Sequence, residues 1–166
     1  MDQVIKSMKA FFRIIFTLYW LAWIGSGVAL AAPGDLDTSF GGGKGWVSTG
    51  FERGSRFSSL KLRSVLQQAD GKLVLAGSGM YNYDSDSILV RYNPDGSLDT
   101  TFDGDGKIIR EIRDNNETLT AVIQQADGKL VVAGSNDNRM ILIRYNSDGS
   151  LDTGLNGTGE VTTAVG

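Results

Sequence analysis

Apolar and polar positions fall into short blocks that recur along the chain. Residues 67–78 read QQADGKLVLAGS and residues 124–135 read QQADGKLVVAGS. Around each copy the blocks predict four strands. The first is SVLQQ at 64–68, matched by AVIQQ at 121–125. The second is KLVLAGS at 72–78, matched by KLVVAGS at 129–135. The third is SILVRYN at 87–93, matched by MILIRYN at 140–146, and the fourth is GKIIREI at 106–112, matched by GEVTTAV at 159–165. Between the first two strands stand Asp70-Gly71 and Asp127-Gly128, the pair that serves a type I′ hairpin turn. An additional copy of the fourth strand, KGWVSTGF at 44–51, precedes the first unit.

Polarity grades across each unit. The second and third strands are apolar at successive positions, as in Leu73-Val74-Leu75 and Ile141-Leu142-Ile143. Such strands are covered on both faces. The fourth strand mixes in Arg110, Glu111, Thr162 and Thr163, so it lies near water. Covered inner strands with a wet outer strand describe a propeller blade, whereas a sandwich alternates in every strand. The expected fold is all-β: β-propeller-type blades, two four-stranded antiparallel repeats plus one extra strand, preceded by an N-terminal signal helix. Blade 1 is expected at about 62–112, blade 2 at about 119–165 and the extra strand at 44–51.

A turn motif recurs three times: GDLDTSF at 34–40, GSLDTTF at 96–102 and GSLDTGL at 149–155. From Gly34 to Gly96 is 62 residues and from Gly96 to Gly149 is 53. The extra residues fall between strands, as repeats of one supersecondary unit vary. Asp37, Asp99 and Asp152 repeat with the motif and are expected to bond nearby backbone N–H groups. Arg91-Tyr92 and Arg144-Tyr145 also repeat. Here Arg is expected to pair a repeated Asp, and Tyr to pack its ring with the hydroxyl outward.

ADGKLVLAGS and ILVRYNPDGSLDTTFDGDGKI together resemble the delta-60 repeat, a family of tandem units in exported bacterial proteins. The resemblance covers about 34–166 and implies a secreted or surface β-propeller with no established reaction. Two departures stand out. Such proteins string many units together, and here there are two plus a strand. Leu155 also stands where Phe40 and Phe102 stand in the other motifs.

Composition adds the compartment. Residues 1–31 carry Lys6, Lys9 and Arg13, then the apolar run IIFTLYWLAWIG, then Ala29 and Ala31 at the positions of an A-x-A cleavage site. Cleavage near Ala31 is expected, leaving 32–166 secreted, periplasmic or on the outer surface. An uncleaved membrane anchor over 14–32 is the alternative. Removing 1–31 takes the net charge from −3 to −5, which argues against nucleic acid as a partner. The chain has no Cys and no His, so disulfides and the usual nucleophile triads are unavailable. Glycine is 22 of 166 residues, about 13%, against an ordinary ~7%, as many tight turns require.

Candidate chemistry lies where the copies differ. GMYNYDSD at 79–86 is longer than its counterpart NDNR at 136–139 and carries Tyr81, Tyr83, Asp84 and Asp86. These read as exposed aromatics and acids suited to a carbohydrate or protein at the cell surface. Asp84 and Asp86, on one side of an extended strand, are the pair a carbohydrate-active enzyme would need. FERGSRFSSLKLR at 51–63 is basic, with Arg53, Arg56, Lys61 and Arg63, and is a second candidate partner surface. Asp99, Thr100, Asp103 and Asp105 in LDTTFDGDG suggest a calcium loop, but Asp103 and Asp105 do not repeat and the terminal Glu of an EF-hand is missing. They read as turn residues, so no metal, cofactor or catalytic residue is expected. Two blades cannot close a ring of roughly four to eight. A homo-oligomer completing a propeller, a piece of a larger delta-60 protein without autonomous function, or an open, wedge-like pair of blades that aggregates is therefore expected. The favoured reading is an exported non-catalytic binding or cell-surface module.

Overall fold

Eight strands form two separate four-stranded antiparallel sheets in a computed structural model of the chain. Its described residues are 32–51, 57, 59–81, 84–110, 117–136 and 138–164. The first sheet, blade 1, contains β1 (Ser59–Gln67), β2 (Leu73–Tyr81), β3 (Asp84–Tyr92) and β4 (Lys107–Arg110). Blade 2 contains β5 (Glu117–Gln124), β6 (Leu130–Asn136), β7 (Arg139–Tyr145) and β8 (Glu160–Ala164). Both sheets run in chain order, and both are built as meanders. The expected N-terminal signal helix lies outside the described residues. Among the described residues no helix is long and apolar enough to cross a membrane. Residues 36–166 form one compact unit. Before it, a turn closes from Asp35 N–H to Ala32 C=O at 2.9 Å.

The first three strands of blade 1 extend further toward the β2–β3 hairpin than the apolar blocks predicted. The ladder continues through small and polar residues such as Gly79 and Ser85, with Tyr81 paired to Asp84. The Asp-Gly turns also differ from expectation. Gly71 (φ 84°) and Gly128 (φ 85°) are left-handed, whereas Asp70 and Asp127 are not among the positive-φ residues. Each turn closes from the Gly N–H to Gln68 or Gln125 C=O, and the Asp side chain then accepts from Lys72 or Lys129 N–H. That is a tight turn followed by a left-handed glycine rather than a type I′ pair.

Cross-strand register sorts the side chains into faces. Leu73, Leu75, Ile88, Val90 and Tyr92 share the front face of blade 1, and Val74, Ala76, Leu89 and Ile108 share its back. Leu130, Val132, Ile141, Ile143 and Tyr145 form the front of blade 2. The back of blade 1 packs on the front of blade 2 in one buried core, which also holds Phe102 and Leu119. This apolar burial is the main term that joins the two sheets.

Turns stitch successive units together. Asp103 N–H donates to Asp148 C=O at 2.8 Å, and upstream Gly41 N–H donates to Asp95 C=O at the same distance. Asp103 and Gly41 both take positive φ, 51° and 65°, to present that N–H. Phe102 is fully buried against Gly149, where a Cβ would come within 3.1 Å of its ring. Arg91 ties the junction further: its Nε donates to Asp99 at 2.6 Å, its Nη1 to Ser147 C=O at 2.5 Å, and its guanidinium lies 4.4 Å from the Phe102 ring centre. The expected Arg–Asp pairing recurs as Arg144 with Asp152 at 2.6 Å. The repeated Asp residues bond backbone as expected, to Ser39, Thr101 and Gly154 N–H.

Two further expectations change. Residues 46–51 are extended but belong to no strand, because nothing among the described residues pairs with them. Blade 2 is also covered on one face only: on its back, Leu142 is 39% exposed and Met140 57%. The apolar character of the third strand is the same in both units, and only the neighbouring sheet decides whether it is buried.

Candidate functional site

The front face of blade 1 is half covered. Over β3, the side chains of Val47 and Phe51 pack on Ile88, Val90 and Tyr92. That stretch is held in place by Tyr92 Oη donating to Thr49 Oγ1 at 2.6 Å and by Lys107 Nζ donating to Gly50 C=O at 3.1 Å. Phe51 also meets Phe57 edge to face, with ring centres 6.0 Å apart. Over β1 and β2 the face stays open. A groove of about 350 Å³ runs there between residues 47–51 and β1, floored by Leu73 and Leu75. Its β1 wall leaves Leu60 47%, Leu62 58% and Val65 67% exposed. Large apolar side chains so placed mark an interaction surface more often than a bare monomer surface.

Of the residues singled out in GMYNYDSD, Tyr81, Asp84 and Asp86 belong to strands rather than to a loop. Tyr81 ends β2 and Asp84 opens β3, so the connection is only two residues long, and Tyr83 lies outside the described residues. Asp86 is not exposed: it sits within β3 opposite Gly79 and is 3% exposed. The loop is short because the pairing carries through to Tyr81 and Asp84, turning expected loop into strand. Of the basic stretch, Lys61 and Arg63 are exposed on β1 and Arg53 and Arg56 lie outside the described residues.

A second polar feature is buried between the blades. Glu117 on β5 is fully buried and accepts from Ser87 Oγ at 2.6 Å. Burial pushes its carboxyl above the usual range, against the pull of Ser87 and Arg110. Arg110 on β4 pairs with Glu160 on β8. The Tyr145 hydroxyl points into this region rather than outward, and burial raises it to about 12. Sequence reading passed over Glu117, although a signal existed: in the repeat it occupies the position of Leu60. A charge at an apolar repeat position marks a contact particular to one junction.

Two stacked meander sheets, stitched by repeated turns and buried inner strands, define a β-propeller-type repeat architecture. Residues 68–102 and 125–155 match the model of a family described as "Domain of unknown function (DUF5122) beta-propeller". The two segments fall at corresponding places in the two units, so the chain is similar to a propeller-like repeat family. No curated protein and no solved structure matches the chain.

Proposed function

We propose that the chain is an exported, non-catalytic module of the delta-60 type that acts by binding protein through the groove on blade 1. The half-covered front face carries this reading: a preformed apolar concavity with three exposed aliphatic side chains on one wall. Its lining suits a β-rich protein surface better than a carbohydrate, which needs convergent polar groups. Burial of Asp86 weighs against a hydrolytic carboxylate pair with Asp84. Export rests on the basic and apolar pattern of residues 1–31, with cleavage near Ala31.

An apolar fluorescent dye tests the groove. The full chain is expected to bind anilinonaphthalene sulfonate saturably at low protein concentration, and Leu62→Glu to weaken that binding at least fivefold while leaving the far-UV spectrum unchanged. Equal binding by both proteins sinks the reading. Mass spectrometry of the product exported from a bacterial host, with a new N-terminus at Ala32, checks the compartment.

A further inference from the structure

We infer that the groove on blade 1 receives blade 2 of a second copy of this chain, with residues 46–51 replacing β8 on the edge of the incoming β7. This rests on the groove being an interaction surface. The occupant is specified by the junction the chain already contains.

Repeat equivalence aligns Val47 with Ile108 and Val161, and Thr49 with Arg110 and Thr163. Residues 46–51 therefore stand on blade 1 where β4 stands on blade 2. The contacts agree. Ile108 belongs to the core on the front of blade 2, and Val47 packs on the front of blade 1. The stitch is also reproduced, since Gly41 reaches Asp95 as Asp103 reaches Asp148. Residues 36–51 are thus the last turn and fourth strand of a preceding blade whose first three strands are not supplied by the described residues. The backbone of 46–51 has no ladder partner among those residues, and an extended segment so placed is a template for another strand.

The missing three strands have a match at the other end of the chain. On the back of blade 1, Leu89 and Ser87 are each 0% exposed beneath blade 2. Their repeat counterparts on the back of blade 2 are Leu142, 39% exposed, and Met140, 57% exposed. Ile123, the counterpart of Leu66, is 58% exposed. Laid on blade 1 in the manner of the internal junction, this back face covers the groove and buries Leu62 and Val65. The stitch donor is available as well. Asn156, the counterpart of Asp103, already holds φ 53°, and its N–H has no partner among the described residues.

Only β8 and residues 46–51 compete for one place, and β8 is the weaker claimant. It is five residues long with its last three exposed, whereas Val47 and Thr49 are anchored on blade 1. Exchange costs the Arg110–Glu160 pair and brings Trp46, now 55% exposed, to the position of Glu160 beside Arg110. There a cation–π contact replaces the ion pair. The contact is heterologous, so it propagates until a ring closes. With the two described blades supplied by each copy of this sequence, a ring of roughly four to eight blades takes two to four copies.

The chain has no cysteine, so a designed pair reports the contact directly. Met140 faces Thr163 in the present sheet and faces Thr49 of the neighbour in the exchanged one. Oxidation of the full-length Thr49→Cys/Met140→Cys protein is expected to give intermolecular disulfides up to one discrete oligomer, and neither single variant should do so. Val47→Cys with Leu142→Cys is a second pair should the first fail to fold. Light scattering of the unmodified chain should give two to four times the monomer mass, Leu142→Lys should give the monomer, and dye binding should fall as the oligomer forms. A monomeric mass at all concentrations without disulfide, while Leu62-dependent dye binding persists, overturns the second copy and leaves the groove reading intact. Loss of Leu62-dependent dye binding at concentrations where the chain is monomeric overturns both.

Discussion

Acidic side chains in this protein do opposite things according to what surrounds them. Asp152 is held down, from 3.8 to about 2, chiefly by Lys129, with Gly154 N–H and Arg144 adding to it. Asp99 is lowered further by Thr101, Lys72 and Arg91, against the cost of its burial. A carboxyl lowered by folding contributes stability above its unfolded value, and that stability is lost as pH falls through the folded value. Glu117 behaves in reverse: burial raises it above 4.5, so the charge is a cost at neutral pH that disappears on acidification. The combined contribution of these three groups therefore peaks between the reference values 4.5 and 3.8. Urea unfolding across pH is expected to show stability rising from pH 7 toward that window, then falling toward pH 2. Glu117→Gln keeps an acceptor for Ser87 and removes the charge. It is expected to be more stable than the parent at pH 7 and no different below about pH 4. An unchanged slope between pH 7 and 5 in this variant would discard the assignment. The pairing of Arg91 with Asp99 was legible from repetition alone, whereas the burial of Asp86 was not, because polar side chains look like loop until a partner strand is seen.

Strands pair within each unit in a register that one local irregularity sets. β1 shifts register between Leu62 and Ser64, and β5 shifts between Leu119 and Ala121. At each bulge the backbone closes on a glycine of the second strand. A Cβ on Gly77 would lie 2.2 Å from Lys61 C=O, and one on Gly134 would lie 2.2 Å from Thr118 C=O. No side chain can be accommodated there without moving a strand. Gly134→Ala is expected to destabilise by about 2 kcal/mol or more, measured as a lower urea midpoint, and Gly77→Ala should do the same. An alanine tolerated at both positions would contradict the bulge geometry. The repeated AGS of the second strand carried this signal in the sequence, but it named the residue and not the neighbour that requires it.

The two blades share one core, so neither face of the junction is stable in water alone. Leu130, Val132, Ile141 and Ile143 are 0–3% exposed, and what covers them is the back of blade 1. The whole described unit is therefore expected to unfold as one. Leu130→Ala should cost about 2–5 kcal/mol. Amide exchange should then show β2 and β3 losing protection along with β6 and β7. Loss confined to β6 and β7 would show that the blades are independent. The open back of blade 2 and the open groove of blade 1 are the repeat equivalents of the two faces buried in this junction, exposed at opposite ends of the stack.

By itself the sequence determined the unit: four strands, the turn residues, the Arg–Asp pairs and the order of the two copies. These follow from local chemistry, in which hydrophobic period, left-handed glycine and short-range hydrogen bonds are written within a few residues of each other. The tertiary structure decided what lies between units. Leu89 and Leu142 occupy equivalent positions in near-identical strands, yet only Leu89 has a sheet on top of it. Likewise KGWVSTGF reads as a strand, but a strand exists only where another backbone supplies its hydrogen bonds, and none of the described residues does. Burial and pairing are properties of two surfaces together, so the groove, the unpaired segment and the buried Glu117 became visible only once the two blades were stacked.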